Sequence, residues 1–255
     1  MTCMGLIAIM SAMPEENAGL LRDLSVTESF EAGKRTYHRG LLYGQEVVLV
    51  CSRWGKVAAA ATVAHLLAKY PIEELIFTGV AGAVAPSLKV GDVVIGSELL
   101  QHDLDPRPLF SRYEIPLLGS THLRADLECT KALEHAAGEF LSHLRTSPEW
   151  VRSRAEFTLD EARVRSGLIV SGDRFFQSLE QISRLRNELP DALCVEMEGA
   201  AVAQVCTEHG IPFSVIRTIS DAGDDNAHQD FSRFIQEVAS AYSTGIVRNL
   251  LEGRR

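Results

Sequence analysis

The sequence predicts a single-domain α/β protein built on a largely parallel sheet with helices on its faces. Two observations lead there. Short apolar runs alternate with longer amphipathic or Ala-rich segments along the chain, which is the pattern of strand–helix–strand units. The 255 residues, 46 % hydrophobic and 23 % charged, suffice for one sizeable core, as a chain of this size buries roughly 70–75 % of its unfolded surface.

In chain order, Leu6–Met10 is a short apolar run read as a buried strand. Pro14 opens a helix that continues over Glu15–Leu24 with acids in its first turn. Glu46–Cys51 is a second strand. Lys56–Lys69 is Ala-rich, with Val57, Ala61, Val63, Leu66 and Leu67, and reads as a helix. Leu75–Thr78 is a strand that ends in Gly79-Val80-Ala81-Gly82-Ala83, and Asp92–Ile95 is another. Ala125–Leu144 is helical. Leu168–Ser171 and Leu193–Met197 are strands, Glu198–His209 a helix, Phe213–Ile219 a strand, and Asp230–Leu251 one long amphipathic helix. Arg145–Arg165 mixes charge, Ser, Pro and Trp150. It is too short to divide two domains and reads as an insertion or lid-like segment within a domain covering residues 1–255.

The composition excludes several classes. The net charge of −9 argues against a nucleic-acid binder that works by neutralising phosphates. No apolar run approaches the ~20 residues that span a bilayer. Met1–Met10 has no preceding basic cluster, so no secretory leader is expected. Cys3, Cys51, Cys129, Cys194 and Cys206 are odd in number, scattered and without a CxxC. A reduced cytoplasm is the expected compartment, with no structural disulfide.

Ligands of open α/β sheets bind beyond the carboxyl ends of strands. Acids stand at four of five such ends: Glu15-Glu16, Asp173, Glu196 with Glu198, and Asp221 with Asp224-Asp225. Taken singly, each suits the start of the next helix, where a carboxylate favours the macrodipole. Glu198 lies in the nearly apolar run Cys194–Ala203, where an unpaired carboxylate costs several kcal/mol. A sugar diol is a natural partner, since a carboxylate accepts from two hydroxyls. Phe175-Phe176 supplies aromatic faces near the same edge or packs in the core. There is no GxxxxGK[ST], GxSxG or HExxH. His102 with Asp103 and Asp105 is the one candidate metal cluster, and nothing completes its shell.

The ordered set Ala12-Met13-Pro14-Glu15-Glu16, Thr78-Gly79-Val80-Ala81-Gly82, Leu88-Lys89-Val90-Gly91-Asp92, Ser171-Gly172-Asp173, Val195-Glu196-Met197-Glu198 and Ile219-Ser220-Asp221 resembles the nucleoside phosphorylase/nucleosidase superfamily. The likeness runs from about Leu6 to Leu250 and is greatest to those members that hydrolyse 5′-thio-substituted adenosines such as methylthioadenosine and S-adenosylhomocysteine. It implies a three-layer αβα domain around a mixed, partly barrel-like sheet, usually a homodimer, with no metal or organic cofactor. Lys56–Lys69 and the 125–144 helix are candidate interfaces.

The resemblance also implies roles. Asp221, after Ser220, would protonate or hydrogen-bond N7 of adenine, which suits a carboxyl whose pKa is raised by burial. Glu16 would position or deprotonate the attacking water. Glu198 would bind the ribose hydroxyls and favour an oxocarbenium-like transition state. Met197 would pack on the ribose, Phe175 stack on the purine, and the backbone of Phe176 read the base edge. Arg217 would orient the water and acids, and Phe231 would line the 5′-thio pocket with side chains from a partner subunit. Three features depart from the family pattern. Val80 replaces a small polar residue, Ser52-Arg53-Trp54-Gly55 replaces a Ser-Gly-Ile-Gly type of loop so that Trp54 reshapes the thio pocket, and Arg145–Arg165 is long. Phosphorolysis is the alternative chemistry, and a non-catalytic nucleoside-binding module the alternative class. Pro14 lacks an N–H and Glu15-Glu16 would repel a phosphate dianion, so water is the expected nucleophile.

Overall fold

A computed structural model describes residues 5–222 and 227–254. Cys3 and the Asp224-Asp225 pair lie outside the described residues. The element order is β1 (Leu6–Ser11), α1 (Pro14–Asp23), β2 (Ser25–Ala32), β3 (Arg35–Leu42), β4 (Gln45–Cys51), α2 (Lys56–Lys69), β5 (Ile72–Ala83), β6 (Val93–Gln101), β7 (Leu123–Arg124), α3 (Leu127–Thr146), α4 (Val151–Phe157), β8 (Val164–Ser171), α5 (Leu179–Glu188), β9 (Ala192–Glu196), α6 (Gly199–His209), β10 (Phe213–Asp221), α7 (Ala227–Phe234) and α8 (Ser240–Glu252).

One mixed sheet holds the ten strands of the described residues. Five of them, β5, β10, β6, β8 and β9, close into a ring, and β1, β4, β3 and β2 extend from β5 as an arm. The expected mixed, partly barrel-like sheet is therefore present. β1 is buried on both faces, as its unbroken apolar run requires. Its alternate side chains feed two cores: Leu6, Ala8 and Met10 pack in one that also takes in Ala59, Val63 and Leu66 of α2 and Val202 and Cys206 of α6. Ile7 and Ile9 pack in the other, with Leu20 of α1, Leu133 and Phe140 of α3, and Ile246 and Leu250 of α8. This is the expected three-layer arrangement.

Several boundaries differ from the expectation. β5 does not end at Thr78 but runs through Gly79–Gly82, because β10 pairs along it from Leu75 to Gly82; long-range pairing outweighs the weak strand propensity of glycine. The β2–β3 hairpin was not expected, since β2 is mostly exposed and lacks a buried apolar face. The C-terminal helix is not uniform: a π-helical segment, Ile235–Ala239, separates α7 from α8. Within Arg145–Arg165, two single 3-10 turns flank α4, and Trp150, Leu159 and Ala162 are buried in the second core. The segment packs against α7 through Phe157 on Phe234, ring centroids 5.5 Å apart, and the Arg233–Glu156 ion pair.

β5 positions the site by having three partners. β1 pairs with it from Ile72 to Phe77, and β9 pairs with it at Gly82 and Ala83, beyond the end of β1. On that edge, no described strand pairs with Thr78–Ala81. The sheet forks there, and the end of β1 opens onto the fork.

Candidate active site

Glu16 fills the fork. It stands in the first turn of α1, and its Oε2 accepts from the backbone N–H groups of Ala12 and Met13, each at 2.9 Å. That reach-back is ordinary helix capping. Its Oε1, however, accepts from the N–H of Val80 at 3.0 Å, 64 residues away, which capping does not require. Glu16 is 1 % exposed. Burial raises its pKa above the usual carboxylate range, although Arg217 and the three N–H donors pull the other way.

Arg217 of β10 lies behind the site, 1 % exposed. Its Nη2 pairs with Oε2 of Glu196 and stands 3.8 Å from Oε2 of Glu198. Its guanidinium lies over the ring of Phe77, 4.1 Å from the centroid. Glu196 is saturated: it also accepts from Ser171 Oγ, from the N–H of Glu198 at 3.1 Å and from that of Gly199 at 2.8 Å. It thereby caps α6 and holds the cation. Glu198 accepts from the N–H of Gly55 at 2.8 Å. Burial, with the neighbouring Glu196 charge, pushes its pKa up to about 8.

Asp221 ends β10. Its Oδ2 accepts from Ser220 Oγ at 2.8 Å, and its Oδ1 lies 3.0 Å from the place a Cβ on Gly82 would occupy. Glu16 and Asp221 thus meet β5 at Val80 and Gly82, about 7 Å apart along the strand.

These groups border a pocket of about 450 Å³ lined by Glu16, Trp54, Val80, Phe175, Met197, Glu198, Ser220, Asp221 and Phe231. A recess of about 260 Å³ adjoins it, bordered by Gly82, Arg174, Phe175, Phe176 and Asp221. Trp54, Phe231 and Phe175 form an edge-to-face series, with centroids 6.2 and 5.6 Å apart. Arg53, at φ +73, and Gly55, at φ +94, make the turn that presents Trp54.

Nine of the eleven singled-out residues therefore border one pocket. Phe176 borders only the recess, its ring turned edge-on to His102 at 5.4 Å. Arg217 supports the wall without lining it. Glu196 was not given a role from sequence, although its two-residue spacing from Glu198 was a usable signal. His102, Asp103 and Asp105 do not form a cluster: Asp103 is taken by Lys56 and Asp105 by Arg107, while His102 turns to Phe176.

A model of the Phosphorylase superfamily matches residues 6–252. A 5′-methylthioadenosine/S-adenosylhomocysteine nucleosidase of Anoxybacillus flavithermus is 35 % identical over 234 residues, 91 % of this chain and 92 % of that one. The crystal structure of the Neisseria meningitidis nucleosidase of the same name, in complex with methylthio-immucillin-A, superposes with a TM-score of 0.85 at 32 % identity, covering 98 % of this chain and all of that one. A futalosine hydrolase of Helicobacter pylori superposes with a TM-score of 0.83 at 27 % identity, covering 98 % of each chain.

Proposed function

The chain belongs to the Phosphorylase superfamily, and we propose from that membership and from the site that it is an N-glycosyl hydrolase acting on 5′-thio-substituted adenosines. It cleaves the N-glycosidic bond of methylthioadenosine and S-adenosylhomocysteine, releasing adenine and the thioribose. The observation that carries hydrolysis over phosphorolysis is the bonding of Glu16. A phosphate dianion needs a nest of free N–H groups. At the fork, the N–H groups of Ala12, Met13 and Val80 already serve the Glu16 carboxylate, which also repels a second anion.

In this reading the base occupies the recess, between Phe175 and the backbone at Phe176, with Asp221 at N7. Protonating or hydrogen-bonding N7 improves the leaving group. The ribose diol meets Glu198, and Met197 packs on the ring. Glu16, a buried base with an elevated pKa, takes a proton from water beside Val80. Arg217 keeps Glu196 in place beside Glu198, and the ionised form of Glu198 favours an oxocarbenium-like transition state. The 5′-substituent then points to Trp54 and Phe231. No metal or organic cofactor enters this scheme.

We also expect a homodimer, supported by exposed apolar Val57 on α2 and by Leu109 and Leu117 on the loop after β6. A cytoplasmic location fits the substrate, and no helix of the described residues is long and apolar enough to cross a membrane. The deciding experiment is to incubate the protein with methylthioadenosine, with and without phosphate, and follow free adenine. Phosphate-independent release is expected. Strict phosphate dependence, or tight binding without turnover, overturns the assignment.

A further inference from the structure

Three residues outside the pocket close a ring of contacts that ties together two of the loops bordering it. Lys56 is the first residue of α2, Asp103 follows β6, and Asp173 follows β8. Lys56 Nζ donates to Asp103 Oδ1 at 2.5 Å and to Gln101 Oε1 at 3.2 Å. The N–H of Asp173 donates to Asp103 Oδ2 at 2.9 Å. The N–H of Lys56 donates to Asp173 Oδ1 at 2.8 Å. Each residue of the ring therefore holds the other two. The ammonium is mostly covered, with the Lys56 side chain 16 % exposed, so this pair is less screened than an ordinary surface ion pair. The Lys56 bond and the Asp173 N–H hold the Asp103 carboxyl below its ordinary range, against the opposing effect of its burial.

None of the three lines the pocket, yet Lys56 and Asp173 each stand within two residues of one that does, and Asp103 bonds to both. Gly55, whose N–H serves Glu198, and Trp54 immediately precede Lys56. Phe175 and Phe176 follow Asp173 by two and three residues. A Cβ on Gly55 would come within 3.1 Å of Asp173 Oδ1, so the two loops are in close contact at that point. Gln101 extends the ring to α6, where its Nε2 donates to Gln204 Oε1 at 2.7 Å.

We propose that Lys56, Asp103 and Asp173 are positioning residues: a clasp that fixes the Trp54–Gly55 loop against the Phe175–Phe176 loop. The distance between the ribose carboxylate and the aromatic face for the base is then set from outside the pocket. The proposal rests on the nucleosidase reading for its substrate, though not for its geometry. Both clasped loops act on the bound ground state, so loosening them weakens binding more than it slows chemistry.

The test compares Lys56→Met, Asp103→Asn and the double variant by steady-state kinetics with methylthioadenosine and by hydrogen exchange of the intact protein. Each single variant is expected to raise KM about tenfold with kcat within a few-fold, the worth of one charge-assisted hydrogen bond. The double variant should raise it no further. Exchange should quicken in both the 54–57 and 172–176 segments in every variant, with β1 unchanged. Additive effects on KM, an unchanged KM with only a lowered Tm, or quickened exchange in just one segment overturns the clasp. Absence of adenine release by the unaltered protein overturns the reaction instead, and the exchange data still judge the clasp.

Discussion

Gly79 and Arg217 face each other in register across the β5–β10 pair, and the guanidinium lies where a side chain on Gly79 would be. A Cβ there would stand 2.2 Å from Nη1 of Arg217 and 2.6 Å from Oε1 of Glu16. The missing side chain lets a buried cation and a buried carboxylate share one stretch of backbone. Gly79→Ala must displace one of them, and Arg217 is confined between Phe77 and Glu196. We expect kcat/KM to fall by about 10²-fold, as for a misplacement of roughly 1 Å, and stability by about 1–3 kcal/mol, as for overpacking. Kinetics and denaturant melts of the same variant check both.

Removing the cation affects the whole site. Arg217→Met leaves Glu16, Glu196 and Glu198 without their shared counter-charge. Breaking such a buried pair costs about 3–5 kcal/mol, or a Tm lower by about 6–20 °C for a domain of this size. The loss should be larger at pH 8 than at pH 5, because protonation of Glu16 and Glu198, whose pKa values burial raises, relieves the uncompensated charge. Thermal melts at the two pH values test this.

The pH dependence of Glu198 has a definite sign. Its pKa in the folded protein is pushed up to about 8 from an ordinary value of 4.5. Between those values the folded state holds a proton that the unfolded chain releases, so stability falls as pH rises through the window. Glu198→Gln removes that fall. The variant should be more stable than the parent at pH 8.5 by about 1 kcal/mol or more, the worth of one pK unit, with the gain shrinking toward pH 5. Melts across this range measure it. A gain that grows toward pH 5 contradicts the assignment.

Trp54 offers a test at the far end of the pocket. Its edge-to-face contact with Phe231 is of a kind worth about 0.5–1.5 kcal/mol. Trp54→Ala should raise KM for methylthioadenosine about 2- to 10-fold and leave KM for adenosine, which lacks the thioether, nearly unchanged. Parallel kinetics on the two nucleosides decide it.

Much of the site was legible because acids at strand ends are visible in a linear sequence. Position at a strand end marks Glu16, Glu198 and Asp221 among several such acids, the apolar surroundings of Glu198 and the family resemblance single the three out, and all three border the pocket. What was not legible depends on pairing over long distances. Nothing local to Thr78-Gly79-Val80-Ala81-Gly82 indicates a continuing strand, because β10 and, at Gly82, β9, each well over a hundred residues later, make it one. The role of Glu196 was hidden for the same reason. Its partner Arg217 lies on another strand, 21 residues further along the chain, and no local pattern couples the two. β2 was missed because its side chains are mostly exposed and carry no apolar alternation.

The fork at β5 also has a consequence in time. Its three partners come from the beginning, the last third and nearly the end of the chain. Such non-local closure carries a high entropic cost and forms slowly. During synthesis β1, β4 and β5 emerge early and can pair, but Glu16 acquires its guanidinium neighbour only when β10 has left the ribosome and docked. Until then a carboxylate destined for burial keeps its water. A nascent chain should therefore become resistant to proteolysis along the arm well before it can bind a nucleoside.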